Sequence, residues 1–418
     1  MCIFSSHIII KKLLDLDWRF LLCVFPPFVL LVFLSVFTFS SYSIFNNTFS
    51  LSSPFAYNRS VEVGSHNPRN GNRIAVCLVG GARRFELTGP SIVENVLRVY
   101  PKSDLFLHSP LDSNAFKFSL LKAAPRIAAV RIFRPQAIPQ DEHMVRVLTP
   151  MNSPNGIQGL LQYFNLVEGC LTMIQAHQAQ NNFTYDWIIR TRVDGYWSAP
   201  LDPVNLVKGS YTVPTGSSYG GLNDRLGIGD YTSSLVALSR LSMIPDLDAA
   251  GYRLLNSETS FKAQLTVRGT PFRTIQLPFC IVSDRSYDYP PRKFGVPVAS
   301  MSSKGPLSGV KCRPCQAVCV NECVERVMNS LSQEWSWTEW KNETLQLCNA
   351  HSEWETGWEA EFDRVAGVKL AEERKRISGM TMKECVADFE TMKKRASYWN
   401  TPPLTDVCRM GLKGKKVF

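Results

Sequence analysis

Arg73-Ile-Ala-Val-Cys-Leu-Val-Gly80, continued by Gly81-Ala-Arg-Arg-Phe85, is the stretch on which the fold turns. Its apolar run has strand length and no polar alternation, the pattern of a strand buried on both faces, and the glycines that end it supply a tight turn. Thr88 follows as a helix cap, and Ile92, Val93, Val96, Leu97 and Tyr100 recur at helical spacing. The unit therefore reads strand, glycine loop, helix.

Working outward, Asp104–His108 and Val130–Phe133 read as further strands, and Ile157, Leu160, Leu161, Phe164, Val167, Leu171 and Ile174 trace one face of a helix from Asn155 to about Gln180. That helix leads into a short strand, Trp187–Thr191, whose end carries Arg192-Val-Asp194. Tyr211–Pro214 is another strand, followed by a Gly- and Ser-rich loop to Gly229 and a helix from about Thr232 to Met243. Alternating strands and helices over residues 73–300 argue an α/β layer fold with a mostly parallel sheet, in which ligands bind beyond the carboxyl ends of the strands.

Residues 301–418 differ in kind. Cys312, Cys315, Cys319 and Cys323 crowd together, followed by Trp335, Trp337, Trp340, Trp354 and Trp358 and a charged helical stretch near Ala371–Lys394. The segment reads as a Cys/Trp-rich helical appendage. The four thiols, close on one helical side at their spacing, are read as structural disulfides rather than a metal or redox motif, with the pairing left open. The tryptophans form either its core or a sugar platform.

Upstream, Phe20–Phe39 is an uncharged apolar run that at about 1.5 Å per residue spans a ~30 Å hydrocarbon core. Lys11, Lys12 and Arg19 precede it, so residues 1–19 read as a cytosolic tail, 20–39 as a transmembrane signal anchor and 40–72 as a flexible stem. The remainder is placed in the lumen of the secretory pathway as a single-pass type II protein. Acceptor sequons at Asn46, Asn58, Asn182 and Asn342, and ten cysteines beyond the anchor, agree with an oxidising compartment. The formal charge of the 418 residues is +10, but Lys and Arg are scattered among acids and form no stripe, which argues against a nucleic-acid partner. Zinc-hydrolase and serine-esterase motifs are absent.

Three constellations carry chemistry. Gly80-Gly81-Ala-Arg83-Arg84 sits at the end of a strand and suits a phosphate, or is simply a turn with two exposed arginines. Arg190-Thr-Arg192-Val-Asp194 alternates, placing its three charges on one side of a strand end, where they either meet a diphosphate or bridge one another. Gly220–Asp230 sets Asn223, Asp224 and Arg225 among four glycines, a composition that packs poorly and points to ligand contact.

Together Val76–Phe85, Trp187–Asp194 and Leu222–Asp230 resemble a family of plant type II membrane proteins described as putative glycosyltransferases, within the nucleotide-diphospho-sugar transferases of the GT-A fold. The resemblance implies a GT-A-like, Rossmann-type sheet over residues 73–300, a nucleotide-sugar donor and a glycan or glycoprotein acceptor, in the Golgi. It places Gly80, Gly81, Arg83, Arg84, Arg190, Arg192, Asp194, Asn223 and Arg225 around the donor. Glu258 is the implied general base for an acceptor hydroxyl, with Asp224 in reserve. Similar enzymes hold Mn²⁺ or Mg²⁺ on an Asp-x-Asp motif. Here Arg192 occupies the first acidic position and only Asp194 remains, so either Asp194 alone holds the metal or Arg192 supplies part of its charge. The alternative reading is a non-catalytic luminal scaffold or glycan-binding protein on a degenerate transferase fold.

Overall fold

The structure, a computed structural model, describes residues 71–412 except 152, 154, 288–296 and 332–343. The tail, anchor and nearly all of the stem, with the sequons at Asn46, Asn58 and Asn342 and the tryptophans at 335, 337 and 340, lie outside the described residues. No helix among the described residues is long and apolar enough to cross a membrane.

The architecture is mixed α/β around a largely parallel central sheet. Strands β1 (Ile74–Val79), β2 (Ser103–Pro110), β3 (Ile127–Phe133), β4 (Trp187–Arg192), β5 (Gly195–Trp197), β6 (Tyr211–Pro214), β7 (Leu226–Asp230), β8 (Phe272–Ile275), β9 (Phe279–Val282), β10 (Val298–Ser300), β11 (Lys311–Arg313) and β12 (Tyr398–Asn400) divide between two sheets. The main sheet runs β12-β3-β2-β1-β4-β7-β6-β8, and a smaller one runs β10-β11-β9-β5. Every residue of β1 is buried, as its unbroken apolar run requires. It pairs in parallel with β2 and β4, Val79 lying opposite both His108 and Arg192.

Helix α1 (Phe85–Ile92) packs on one face of the main sheet, and α2 (Gly156–Asn181) crosses the other, setting Val167, Cys170 and Ile174 against Ala75 and Cys77. A Cys77–Cys170 disulfide fixes that contact. Thr88 does not cap α1. It lies inside the helix and donates from its hydroxyl to the Val193 carbonyl at 2.6 Å.

Two segments depart from expectation. Leu226–Asp230, read as the tail of a loop, is β7, antiparallel to β4 with Thr191 opposite Leu226. Its glycines are strand residues because the Tyr211 ring lies over them: a Cβ at Gly227 would stand 2.4 Å from that ring. Asp230 then caps α3 (Tyr231–Leu238), accepting from the Ser233 amide at 2.8 Å. The helix ends at Leu238 rather than continuing to Met243.

The boundary drawn at residue 300 falls inside the second sheet, where β11 pairs with both β10 and β9. Beyond α4 (Ser257–Val267), the C-terminal helices α5 (Met382–Arg395) and α6 (Leu404–Leu412) bury Phe389, Met392 and Val407 in the same core as β1 and α1, and β12 adds to the edge of β3. The C-terminal segment is thus woven into both sheets rather than appended. Nor do the four neighbouring thiols share a helix. Cys312 on β11 reaches Cys280 on β9, Cys315 reaches Cys348, Cys319 and Cys323 pair locally, and Cys385–Cys408 ties α5 to α6.

Candidate functional site

Beyond the carboxyl ends of β1 and β4 lies a cleft of about 320 Å³. This is where ligands sit in open α/β sheets. The pairing scheme explains its contents. Because β7 runs antiparallel to β4, the residues before it arrive beside the end of β4, and the Arg192 amide donates to the Arg225 carbonyl at 3.2 Å. Because β5 follows β4 into the second sheet, the Asp194 carbonyl accepts from Val282 of β9 at 2.9 Å. Arg83, Arg192, Asp194, Asp224, Arg225 and Glu258, chosen from four separate stretches of sequence, all line this one cleft.

Asp194 is buried and bound on both oxygens by Arg192, Nε to Oδ1 at 2.8 Å and Nη2 to Oδ2 at 2.6 Å. Burial pushes the carboxyl up, but the adjacent guanidinium more than offsets this and holds Asp194 below its usual range. The donor set does not suit a divalent cation at Asp194. Both oxygens are occupied, Arg83 adds further positive charge, and no cluster of three His, Cys, Asp or Glu able to hold a metal occurs among the described residues.

The second wall is the loop from Thr215 to Arg225 against the start of α4. Ser217 and Tyr219 take left-handed backbone, with φ of 48° and 47°, which costs about 1–2 kcal/mol per residue without glycine. Gly221 permits the closest approach: a Cβ there would lie 2.0 Å from the Glu258 carbonyl oxygen. Asn256 caps α4, accepting from the Thr259 amide at 2.8 Å while the Thr259 hydroxyl accepts from the Asn256 amide at 2.9 Å. That reciprocal cap presents Glu258 to the cleft from a first helical turn, where carboxylates are favoured.

Asp224 and Glu258 form a carboxylate pair with divided properties. Burial pushes Asp224 up, but Arg240, Arg225 and Arg190, with a hydrogen bond from Ser257, bring it below the usual carboxylate range. Glu258 moves the other way: burial, then the charge of Asp224, raises it to about 7, with Arg225 only partly opposing at 3.6 Å. One carboxylate stays ionised and the other takes or gives a proton near neutrality.

Other expected residues stand behind the cleft or away from it. Arg190 is buried and donates to the Tyr163 hydroxyl at 3.0 Å and to the Asp224 carbonyl, so it braces the loop. Asn223 is likewise internal, donating to the Gly216 carbonyl at 2.8 Å and accepting from the Arg225 amide at 3.2 Å. Gly80 and Gly81 shape the turn without lining the cleft, and a Cβ at Gly81 would meet the Asp112 carboxylate at 2.4 Å. Arg84 leaves altogether. It pairs with Asp284 at 2.5 Å and stacks over Trp354 at 4.1 Å, because the turn into α1 directs adjacent arginines apart.

Sequence reasoning missed Tyr163, Tyr219, Ser257, Arg285, Tyr287 and Lys311, which also line the cleft. Ser257 was within reach, next to Glu258 behind a capping residue. Lys311 carried no signal, since it opens a three-residue strand far along the chain.

A larger hollow, about 690 Å³, lies at the opposite, amino-terminal edge of the sheet among Arg73, Lys102, Asp104 and Arg126. Its one carboxylate, Asp104, is held by Arg126 at 2.7 Å and by the Tyr185 hydroxyl at 2.8 Å. Its His177 is held below the usual imidazole range by burial, and no carboxylate pair stands beside it, so the paired acid–base groups belong to the smaller cleft.

No curated protein matches the chain. Among solved structures, apo mouse xyloside xylosyltransferase 1 is similar over 48% of this chain and 85% of that one, at 12% identity and a TM-score of 0.32. A likeness of that size does not bear on what the cleft does. The family profile that matches, over residues 69–414, covers all of the described structure, and the chain belongs to the family described as Domain of unknown function (DUF7796).

Proposed function

We propose that the chain transfers a sugar from a nucleotide-diphosphate donor to a hydroxyl of a glycan or glycoprotein in the Golgi lumen. The observation that supports this reading is the meeting, in one cleft, of Arg83, Arg192 and Arg225 with a carboxylate pair of which one member, Glu258, titrates near neutrality. Guanidiniums suit a departing diphosphate, and a carboxylate near pH 7 suits proton abstraction from a hydroxyl.

In the inverting course, the acceptor oxygen forms its bond to the anomeric carbon as its proton passes to the Glu258 carboxylate. The bond from that carbon to the diphosphate oxygen breaks, and the electron pair leaves with the nucleoside diphosphate, whose charge the arginines meet. Arg192 stands where similar enzymes carry the first metal-binding aspartate, so in this reading the guanidinium takes over part of the cation's role. The luminal setting is supported by five disulfides among the described residues and by the exposed sequon Asn182-Phe-Thr184 at the end of α2. The anchor at residues 20–39 completes the proposal.

A test is to incubate the purified full-length chain with a panel of UDP- and GDP-sugars and measure free nucleoside diphosphate. Release from one donor, lost in Glu258→Gln, is the expected result. Nucleotide binding without release would favour the scaffold reading, which the occupied Asp194 supports. Neither binding nor release would end the transferase reading.

A further inference from the structure

Lys311 opens β11 and reaches into the cleft from the second sheet, one strand over from β9, where its register partner is Ile281. Its surroundings are unusual for an ammonium. From the end of β4 and the turn after it Lys311 is faced by Arg192 and Asp194, and from the loop before β7 by Arg225 and Asp224. Glu258 at the start of α4, Arg83 after β1 and Arg285 beyond β9 complete the charged groups, with the phenols of Tyr163, Tyr219 and Tyr287 between them.

The carboxylates nearest to it are already engaged. Arg192 holds both oxygens of Asp194 at 2.6–2.8 Å, Ser257 holds Asp224, and Arg225 stands 3.6 Å from Glu258. Among the described residues, the Lys311 side chain makes no hydrogen bond or ion pair. A half-buried amine set among guanidiniums, facing carboxylates already engaged by other groups, is disfavoured as a cation.

We propose that Lys311 is uncharged in the free protein and takes up a proton when a diphosphate enters the cleft, becoming the group that completes the anion's charge neutralisation. This rests on the transferase reading for its ligand, and on the side-chain arrangement for the state of the free protein. The direction of the shift agrees. Burial first, then Arg225 and Arg192, push Lys311 well below the ordinary lysine range, against a smaller upward pull from Asp194. An arriving diphosphate reverses the electrostatic part, since an opposite charge within ~4–6 Å restores the charged form. Arginines, always charged, cannot couple binding to proton uptake, so the device needs a lysine. When the nucleoside diphosphate departs, the proton returns to solvent.

Two measurements test this on the full-length chain. In the first, pH-dependent competitive acylation read by mass spectrometry reports each lysine's free-amine fraction without any ligand. Lys311 should react at neutral pH, where an ordinary lysine side chain, with a pKa of about 10.4, does not; reactivity appearing only in the alkaline range overturns the proposal.

In the second, inorganic pyrophosphate binding is followed by calorimetry at pH 8.5 in two buffers of different ionisation enthalpy. The ligand's own ionisation contributes to every variant, so the reading is the difference: wild type and Glu258→Gln should take up close to one proton more than Lys311→Arg, which should still bind pyrophosphate. Uptake unchanged in Lys311→Arg, or lost in Glu258→Gln, overturns the assignment. Absence of pyrophosphate binding with Lys311 still reactive at neutral pH would refute the ligand and the transferase reading, while leaving the uncharged amine established.

Discussion

Replacing Arg192 with methionine removes the only group among the described residues that bonds Asp194 at both oxygens, and the cost follows from the geometry. Asp194 is 3% exposed, and its bonds to Arg192 are 2.8 and 2.6 Å. Breaking a fully buried ion pair costs about 3–5 kcal/mol, because the remaining charge stays desolvated. Arg192 is 26% exposed along its side chain, so solvent screening lowers the expectation to about 2–3 kcal/mol.

The loss should also depend on pH. In the wild type, Asp194 is held below its unfolded value of 3.8, so its contribution is complete above that pH and is lost as the pH falls through the folded value. Without Arg192, burial dominates and raises the folded value above the unfolded one. The variant then binds that proton more tightly when folded, and its stability falls as pH rises. The deficit should therefore be large at pH 7 and shrink towards pH 4. Urea denaturation of wild type, Arg192→Met, Asp194→Asn and the double variant at both pH values measures it, with the double variant recovering part of the loss. A deficit under about 0.5 kcal/mol, or one equal at both pH values, would show that the pair is solvated and that the cleft is not organised around it.

Three further outcomes are expected. Glu258→Gln should lower transfer by at least ~100-fold with nucleotide affinity retained, and the wild-type rate should rise with pH through an inflection at about 7, because the base acts in its ionised form. Gly221→Ala should cost about 1–3 kcal/mol in denaturation and displace Glu258, since its Cβ would sit 2.0 Å from the Glu258 carbonyl oxygen and backbone cannot swing aside. Asn182→Gln should remove one step from the mobility shift produced by endoglycosidase on protein isolated from a eukaryotic secretory host; no change in that ladder would count against a glycan at the end of α2.

The parallel core was legible because β1, β2 and β4 are buried on both faces and so announce themselves as apolar runs. The carboxylate and guanidinium ends of β4 were legible for the same reason, since a charge ending a buried run has few places to go. What was not legible depended on partners distant in the chain. Gly227 and Gly229 have no side chains to show a strand pattern, and only the Tyr211 ring lying over them reveals why β7 is a strand. Cys280 lies in an apolar strand 32 residues before its partner Cys312, and local spacing favoured pairing within the cluster at 312–323 instead. Arg83 and Arg84 looked equivalent, yet the turn into α1 sends one to the cleft and the other onto Trp354. Lys311 reaches the site only because a second sheet, itself closed by the Cys280–Cys312 bridge, sits beside the first.

Arg83, Arg192 and Arg225 are arranged to bind a diphosphate together. Calorimetric titration of the full-length chain with UDP and with GDP, in the presence of a chelator, tests this most directly. Saturable binding of one nucleotide, weakened by Arg225→Met and indifferent to Arg84→Ala, is the predicted result. No binding of either nucleotide at millimolar concentration, with or without added Mn²⁺, would contradict it.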